Sequence, residues 1–397
     1  MSKIAADELL DGFDHVETRA EFLARVKEGK PLVVKLGLDP TTPDLHIGHA
    51  VVLRKLQQFV DNGDKVTLII GDTTSSIGDP SGRNTMRPAL TQEQINANMI
   101  TYRDQAGKVL DMTRVELRYN SEWLAGLKLA EMLKLMSQVT VAQLLARNDF
   151  AARYANNTPI SLHEFLYPVA QAYDSVAISA DIELGGNDQL FNLLMGRQFQ
   201  AHAGRREQIC MTVPLLEGLD GVKKMSKSTG NYVGLTEPAE SMFGKLMSIP
   251  DELIPRYARF AAFRTEAQVS QLVQTLRGAS ARPMDEKKKL AAQIVTLYHG
   301  PEVALAAADY FERTVQRKEV PTENLPELSL GDARRVTDVL VAAGFAESKR
   351  AAERLISGNG VKVDGILVSD PKAAWPARGA AVLSVGSRKF VRVVPQA

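Results

Sequence analysis

Two short segments far apart in the chain carry side chains that could act on phosphate groups. The first is His-Ile-Gly-His at residues 46–49, which follows an apolar run and a turn-forming stretch and opens a helical pattern. A strand, a turn and a helix start in this order place backbone N–H groups and the positive end of the helix dipole where phosphate binds. The second is Lys-Met-Ser-Lys-Ser at residues 224–228, a loop with two lysines three residues apart. Histidine donors on one side and mobile cations on the other suit a triphosphate that is attacked at its α-phosphorus.

Attack on the α-phosphorus of a triphosphate leaves the protein little covalent work, so catalysis must come from aligning two ligands and stabilising charge on the phosphoryl oxygens. Gly48 leaves room for a ligand against the backbone, and glycines at both ends of the lysine loop would let it close over the triphosphate. Either segment alone is weak evidence for a phosphate site. A histidine at a helix start is commonly a cap, and a Lys/Ser-rich loop is commonly only solvated. The candidates for this chemistry are Thr41, His46, Gly48, His49, Lys224, Ser226 and Lys227.

A second group of candidates could hold a small polar substrate. Asp79 lies in a turn after an apolar run, at the edge of the sheet where open α/β folds bind ligands. Tyr167, Gln171 and Asp174 are spaced i, i+4 and i+7 on one helix face, and their apolar neighbours favour a pocket wall over an exposed stripe. A third segment, residues 185–189, has glycines that would admit a ligand closely.

Composition limits the class of protein. A chain of 397 residues is expected to form two or three domains, and 45% apolar and 24% charged residues are ordinary values for a globular protein. The single cysteine, Cys210, excludes a disulfide framework and a cysteine-based zinc site. The N-terminus has no apolar leader, and no apolar run is long enough to span a membrane. We therefore expect a cytoplasmic protein.

The order of apolar runs and helical patterns predicts an α/β architecture. Residues 1–230 are expected to begin with a helical segment over residues 1–30 and then to alternate strands with helices, as in a Rossmann-like parallel sheet. Within them, residues 91–148 are expected to form a helical insertion that contains one strand, Val115–Tyr119, and offers an oligomer surface. Residues 231–320 are expected to form a helical domain, and residues 321–333, which include two prolines, a linker.

The last 64 residues differ from the rest in charge. Residues 334–397 contain 11 Lys or Arg and 5 Asp or Glu, a net charge of +6, which leaves −5 on residues 1–333. Two short helices, a glycine pair and a strand predict a small α+β unit, and its charge suggests a polyanionic partner. Lys349, Arg350 and Arg354 are the candidate contacts. The alternative for this helix face is a surface ion network with Glu347.

In this order and at this spacing, the two phosphate-directed segments resemble the signature sequences of class I aminoacyl-tRNA synthetases. The residues between them narrow the resemblance to the tyrosyl-tRNA synthetases of the bacterial type, whose C-terminal S4 RNA-binding domain the basic unit resembles. The resemblance implies a ligase that activates L-tyrosine with ATP and Mg²⁺, releases pyrophosphate, and transfers tyrosine to the 3′ end of tRNA(Tyr). It also implies a homodimer formed through residues 91–148 and an anticodon-binding role for residues 231–320.

The resemblance also implies roles for individual residues. Both histidines and Thr41 would act on ATP in the transition state, and Lys227 would be a stronger catalytic candidate than Lys224. Asp79, Tyr167 and Gln171 would hold the substrate ammonium, and Asp174 would accept a hydrogen bond from the phenol hydroxyl. The remaining residues implied at the site are Gly37, Asp39 and Gln189 for the substrate, and Gly186 and Asp188 for the nucleotide.

Two positions depart from the better-known branch of these synthetases. Lys35 stands where that branch has a tyrosine that would be the second partner of the phenol hydroxyl, and Glu183 stands where it has a glutamine. If both side chains face the pocket, they could form an ion pair, since an unpaired buried charge is costly. This leaves open how the hydroxyl is recognised.

Three other classes of protein share part of this pattern. A tryptophanyl-tRNA synthetase shares the sheet and both segments but lacks an S4-like tail. A non-catalytic RNA-binding protein on a synthetase body would not need the histidines or Lys227, and a small-metabolite adenylyltransferase would be shorter and would not need an RNA module. No dedicated protein metal site is expected, because the histidines lack ligand spacing.

Overall fold

The computed structural model describes residues 3–81, 90–317, 325–329, 335–376, 379–386 and 389–394. The chain divides into two compact units. One comprises Met1–Pro238 with Lys245–Leu290, and the other comprises Ala239–Gly244 with Ala291–Ala397. Among the described residues, none of the helices has both the length and the apolar character needed to cross a membrane.

The first unit is built on a six-stranded sheet. Its strand order is β1-β6-β5-β2-β3-β4, and all neighbouring pairs are parallel except β1 with β6. The central strands are runs of Val, Ile and Leu that are buried along most of their length, as expected for parallel strands covered on both faces. The strands are β1 (His15–Glu17), β2 (Val33–Leu38), β3 (Lys65–Ile70), β4 (Val115–Tyr119), β5 (Ile182–Gly186) and β6 (Ile209–Val213).

Helices connect these strands, and local sequence sets their ends. α3 begins after His46 and ends at Gly63, whose φ of 83° is a left-handed conformation that favours glycine. Threonine side chains at positions 18, 91, 140 and 265 accept hydrogen bonds from the first turns of α2, α5, α9 and α15. From the N-terminus to residue 311 the helices are α1 (Ala6–Leu10), α2 (Arg19–Lys27), α3 (Ile47–Asn62), α4 (Thr74–Ile77), α5 (Gln92–Met99), α6 (Tyr102–Ala106), α7 (Ser121–Leu124), α8 (Leu129–Met136), α9 (Val141–Leu145), α10 (Asn148–Ala155), α11 (Leu166–Ala177), α12 (Leu190–His202), α13 (Ala239–Met247), α14 (Ile254–Phe260), α15 (Glu266–Arg277), α16 (Pro283–His299) and α17 (Pro301–Phe311).

The first unit confirms the parallel sheet and differs from the sequence prediction at both sheet edges. Residues 1–30 were expected to be helical, but β1 lies between α1 and α2 and pairs antiparallel with β6. Three residues are too few to show an alternating pattern, so only the tertiary pairing reveals this strand. At the other edge β4 pairs with β3, so the segment 91–148 supplies a strand of the main sheet as well as helices.

The C-terminal part of the second unit is a small α+β module with its own core. α18 (Val336–Ala342) and α19 (Lys349–Ser357) pack on a five-stranded sheet of order β7-β11-β10-β8-β9. The core residues include Val339, Leu340, Ile356, Leu383 and Trp375. The strands are β7 (Glu327–Ser329), β8 (Val361–Val363), β9 (Ile366–Leu367), β10 (Ala381–Val385) and β11 (Lys389–Val394).

The prediction of a linker at residues 321–333 is wrong for the part that the structure describes, because that part contains a strand. Residues 327–329 form β7, which pairs in parallel with β11. A three-residue strand next to Pro326 has no local signal, because its hydrogen-bond partners lie more than 60 residues further along the chain. Residues 321–324 and 330–333 of this prediction lie outside the described residues.

Candidate active site

A cleft of about 1000 Å³ opens at the carboxyl ends of the central strands of the first unit. It lies where the chain order reverses, because β2 pairs with β3 on one side and with β5 on the other. Such a switch point is where open α/β sheets bind ligands. All the residues that the sequence assigned to ATP, catalysis or the amino acid line this cleft: Gly37, Asp39, Thr41, His46, Gly48, His49, Asp79, Tyr167, Gln171, Asp174, Gly186, Asp188, Gln189, Lys224, Ser226 and Lys227.

The two histidines lie side by side at the start of α3. Their ring centroids are 3.8 Å apart, and His49 Nδ1 accepts a hydrogen bond of 3.2 Å from the backbone N–H of His46. A neutral imidazole that accepts at Nδ1 carries its proton on Nε2, so His49 is held as an Nε2–H donor. A Cβ on Gly48 would lie 3.0 Å from the His46 ring, so glycine also permits this packing.

Both imidazoles are neutral at pH 7. Burial and the nearby Lys227 and Lys224 cations lower the pKa of His49 to about 4. Burial, His49 and the same two lysines lower the pKa of His46 well below its ordinary value. The histidines can therefore donate hydrogen bonds to phosphate without adding charge, and the positive charge comes from the lysines.

The lysine loop reaches the cleft from the opposite side. Lys224 Nζ lies 2.8 Å from a carboxylate oxygen of Asp188, and Lys227 Nζ lies 3.1 Å from one of Asp44. Asn231, which the sequence did not single out, helps to hold this loop in place. Its side-chain oxygen accepts a hydrogen bond of 2.9 Å from the backbone N–H of Ser226. Both lysines thus lie on the cleft side, each held by a carboxylate that a phosphate oxygen could replace.

Hydrogen-bond directions define an acceptor site at Tyr167. Its hydroxyl donates to Asp39 Oδ2 at 3.0 Å, while Thr74 Oγ1 donates to Asp39 Oδ1 at 2.8 Å. Because the proton of Tyr167 is used by Asp39, its oxygen lone pairs remain available to accept from a cation. Asp79 lies in the same cleft and accepts from Gln189 Nε2 at 2.8 Å and from Ser81 Oγ at 2.6 Å.

The other end of the amino-acid region contains Asp174 and a residue that sequence reasoning missed. Trp123 Nε1 donates to Asp174 Oδ1 at 2.7 Å. Burial raises the pKa of Asp174 to about 7, although the Lys35 cation and the bond from Trp123 act in the opposite direction. Trp123 follows the carboxyl end of β4 by four residues, and this position was the signal that could have identified it. Trp123 and Asn120 both hydrogen-bond Asp174, which also lines the cleft and so can contact a ligand.

The expected ion pair between Lys35 and Glu183 is confirmed, but the expectation that both side chains face the pocket is wrong. Lys35 Nζ lies 3.1 Å from Glu183 Oε1, and each side chain is only 1% exposed. The two residues are register partners on β2 and β5 and do not line the cleft. Glu183 instead accepts from Gln171 Nε2 at 3.1 Å and from Ser175 Oγ at 3.1 Å. The pair therefore supports α11 from beneath the pocket.

On α19 of the C-terminal module, Lys349, Arg350 and Arg354 are all exposed. Lys349 Nζ pairs with Asp338 at 2.7 Å. Within the described residues, no ion pair links Arg350 or Arg354 to Glu347.

Known proteins resemble the chain over nearly its whole length. Residues 27–316 match the family of class I tRNA synthetases (W and Y), and residues 334–373 match the S4 domain. A tyrosine–tRNA ligase of Thermotoga maritima is 50% identical, with 94% of this chain and 93% of the relative covered. The chain belongs to the tyrosine–tRNA ligase family. A Bordetella pertussis member is 48% identical over 96% of this chain and 94% of the relative.

A solved structure agrees with the fold of this family. The tyrosyl-tRNA synthetase of Aeropyrum pernix is 18% identical, covers 79% of this chain and 97% of its own, and has a TM-score of 0.64. The curated relatives named above are tyrosine enzymes of the same length class, so neither a tryptophan-specific synthetase nor a shorter adenylyltransferase is favoured. With both histidines and both lysines on one cleft, a non-catalytic body is not favoured either.

The depressed pKa of His49 predicts how stability depends on pH. The folded chain binds a proton at His49 only near pH 4, whereas an unfolded chain does so near 6.5. The unfolded state therefore binds more protons between these values, so this group's contribution to the free energy of unfolding is complete above pH 6.5 and is lost as the pH falls toward 4. We expect His49→Gln to have a shallower loss of stability over this range than the unmodified chain, as measured by urea unfolding.

The exposed His202 provides the control for this measurement. His202→Gln should retain the pH dependence of the unmodified chain. Identical pH dependence in His49→Gln and the unmodified chain would contradict the assignment of a buried, neutral His49.

Proposed function

We propose that the cleft carries out the tyrosine–tRNA ligase reaction. A carboxylate oxygen of L-tyrosine attacks the α-phosphorus of ATP, the bond to the β-phosphate oxygen breaks, and pyrophosphate leaves. A ribose hydroxyl at the 3′ end of tRNA(Tyr) then attacks the carbonyl carbon, and AMP leaves as the hydroxyl loses its proton. The observation that carries this proposal is the convergence of both phosphate-directed segments and the amino-acid residues on one cleft. The proposed role places the chain in the cytoplasm, where tRNA is charged.

In the proposed complex the triphosphate lies between the two phosphate-directed segments. Thr41, His46 and His49 donate to phosphate oxygens, while Lys224 and Lys227 exchange their carboxylate partners for the leaving pyrophosphate. Donors fixed before the reaction stabilise developing charge without reorganising, which is the main source of catalysis in such a site. ATP enters as its Mg²⁺ complex, with Ser226 beside the phosphates, Gly48 against the adenine ring, and Gly186 and Asp188 at the adenosine.

The amino acid is proposed to lie with its ammonium at Asp79, Tyr167 and Gln171 and its phenol at Asp174. Gly37, Asp39 and Gln189 complete this part of the wall. Phenylalanine would leave the buried Asp174 without the bond from the phenol hydroxyl, and the loss of a hydrogen-bond partner at a buried polar group costs free energy. This arrangement favours tyrosine without a second pocket for editing.

Replacing Lys227 tests the catalytic assignment. Lys227→Ala should slow tyrosine-dependent ATP–pyrophosphate exchange about 100-fold or more, as expected when one transition-state donor is removed, with unchanged thermal unfolding. The control is Lys27→Ala, which removes an exposed lysine at the end of α2. Exchange in Lys227→Ala at the rate of the Lys27→Ala control would count against the proposed role.

A second copy of the chain is the proposed partner of α8. This helix buries none of its residues, and its apolar side chains Leu129, Leu133 and Met136 are 75%, 55% and 43% exposed. They are spaced i, i+4 and i+7 and so form one stripe, which a soluble protein would normally cover. Val141, which is 61% exposed, adds apolar surface within residues 91–148. These exposures support the proposal of a homodimer formed through residues 91–148.

A charge on this stripe should prevent dimer formation. Leu133→Glu is expected to sediment as a monomer at concentrations where the unmodified chain is a dimer, because burying an unpaired carboxylate is costly. Leu305→Glu is the matched control, since Leu305 on α17 is 71% exposed and lies outside the proposed interface. A dimer of unchanged stability in Leu133→Glu would exclude α8 from the contact.

The basic face of α19 is proposed to contact tRNA phosphates, with the helical residues 231–320 near the anticodon. Lys349, Arg350 and Arg354 are exposed on this helix, and Ala352 and Ile356 on its other face are buried in the module core. Arginine suits this role because its guanidinium can bond a phosphate with two parallel N–H groups.

Charge reversal tests the RNA contact. Arg350→Glu combined with Arg354→Glu should weaken tRNA(Tyr) binding and lower the salt slope of log K by about 1 for each phosphate that the variant no longer neutralises. Lys27→Glu combined with Lys30→Glu makes the same change in charge on an exposed part of the first unit. Equal weakening in the two double variants would indicate a general charge effect and no specific contact by α19.

A further inference from the structure

Arg147 is a buried cation next to the proposed ammonium site, and nothing in the sequence pattern pointed to it. It directly precedes α10, and its side chain is only 4% exposed. Its guanidinium lies over the Phe150 and Phe191 rings, 5.6 and 5.9 Å from their centroids. A cation enclosed in this way is costly unless it is fully paired.

Each nitrogen of the Arg147 guanidinium has a polar partner. Nε lies 2.8 Å from Asp149 Oδ1, and Nη1 donates to Asn192 Oδ1 at 3.0 Å. Nη2 donates to Ser81 Oγ and lies 3.5 Å from Asp79 Oδ1. This pairing is directed toward the cleft, because Asp79 and Ser81 both line it.

Asn192 connects Arg147 by hydrogen bonds to two other residues of the proposed amino-acid site. With its oxygen held by Arg147, its amide nitrogen donates to Gln171 Oε1 at 2.8 Å and to Gln189 Oε1 at 3.0 Å. An amide whose oxygen accepts from a cation cannot be flipped without losing both of these bonds. Arg147 therefore orients the amide oxygens of Gln171 and Gln189 through Asn192, while Glu183 and Asp79 accept from their amide nitrogens.

The charges around Arg147 also favour the binding of one further cation. Asp79 and Asp149 together carry two negative charges against the single positive charge of the guanidinium. Burial alone would raise the pKa of Asp79, but Arg147 and hydrogen bonds from Ser81 and Gln189 outweigh it and lower that pKa. An ionised Asp79 with one uncompensated negative charge in its cluster matches the +1 of an ammonium group.

We propose that Arg147 is a positioning residue for the amino-acid ammonium: its guanidinium fixes Asp79 directly and fixes Gln171 and Gln189 through Asn192. This inference rests on the proposed function. It assigns Arg147 no contact with substrate, and it makes the recognition of the ammonium depend on a side chain behind the cleft wall.

Binding of three phenolic ligands to the full chain tests this inference. L-tyrosine and tyramine carry the ammonium, whereas 3-(4-hydroxyphenyl)propionate has the same ring and carboxylate and lacks it. Arg147→Gln should weaken binding of L-tyrosine and tyramine about 10- to 100-fold in calorimetry, the size expected when bonds to a charged group are broken. Binding of 3-(4-hydroxyphenyl)propionate should change by less than about threefold, as for a group outside its contacts.

Arg153→Gln is the matched control. Arg153 is also a buried arginine of α10, paired with Glu164 at 2.5 Å, and it does not line the cleft. This variant should bind all three ligands in the same ratio as the unmodified chain. If Arg147→Gln does not fold, Arg147→Lys keeps the charge without the planar fork and should show a smaller loss that is again confined to the two ammonium ligands.

The outcomes separate the two levels of the proposal. Equal weakening of all three ligands in the Arg147 variants, or no weakening, would overturn the positioning role. Failure of the unmodified chain to bind L-tyrosine at all would instead overturn the proposed function.

Discussion

The pairing of β2 with β5 is the constraint on which the site depends. These strands are far apart in sequence, yet their adjacency brings the two histidines at the start of α3 next to Gly185 and Gly186 at the end of β5. The buried pair of Lys35 and Glu183 holds these strands in register, because the two residues are direct partners across the ladder. Slipping the register by one residue would turn both charges away from each other, which would leave each unpaired.

At the nucleotide end of the cleft, positive charge and neutral hydrogen-bond donors come from different residues. The lysines carry the positive charge, and burial together with these cations keeps the histidines neutral. At the amino-acid end the side chains are acidic, with Asp79 at the proposed ammonium position and Asp174 at the proposed phenol position. A zwitterionic amino acid and a polyanionic nucleotide can therefore bind side by side, each facing groups of the complementary kind.

Much of this site could be predicted from the sequence, because it lies on strongly periodic elements. The spacing of Tyr167, Gln171 and Asp174 defined one face of a helix, and the two phosphate-directed segments were recognisable by their residue types. What could not be predicted was a side chain that acts only through distant residues, such as Arg147, whose partners include Asp79 and Asn192. Trp123 also has a distant partner, Asp174, and only its position shortly after β4 could have pointed to it. For the same reason the three-residue strands β1 and β7 were missed, and the ion pair of Lys35 with Glu183 was foreseen without its place beneath the pocket.

A crystal structure of the full chain with a non-hydrolysable analogue of tyrosyl-adenylate and pyrophosphate would test most directly whether one cleft joins the two reactants. We expect phosphate oxygens within hydrogen-bond distance of His49 Nε2 on one side and of Lys227 Nζ on the other, with the phenol oxygen at Asp174. We also expect Lys227 to have left Asp44. A complex in which the histidines and the lysine loop contact separate ligands, or in which the phenol points toward Asp79, would contradict this arrangement.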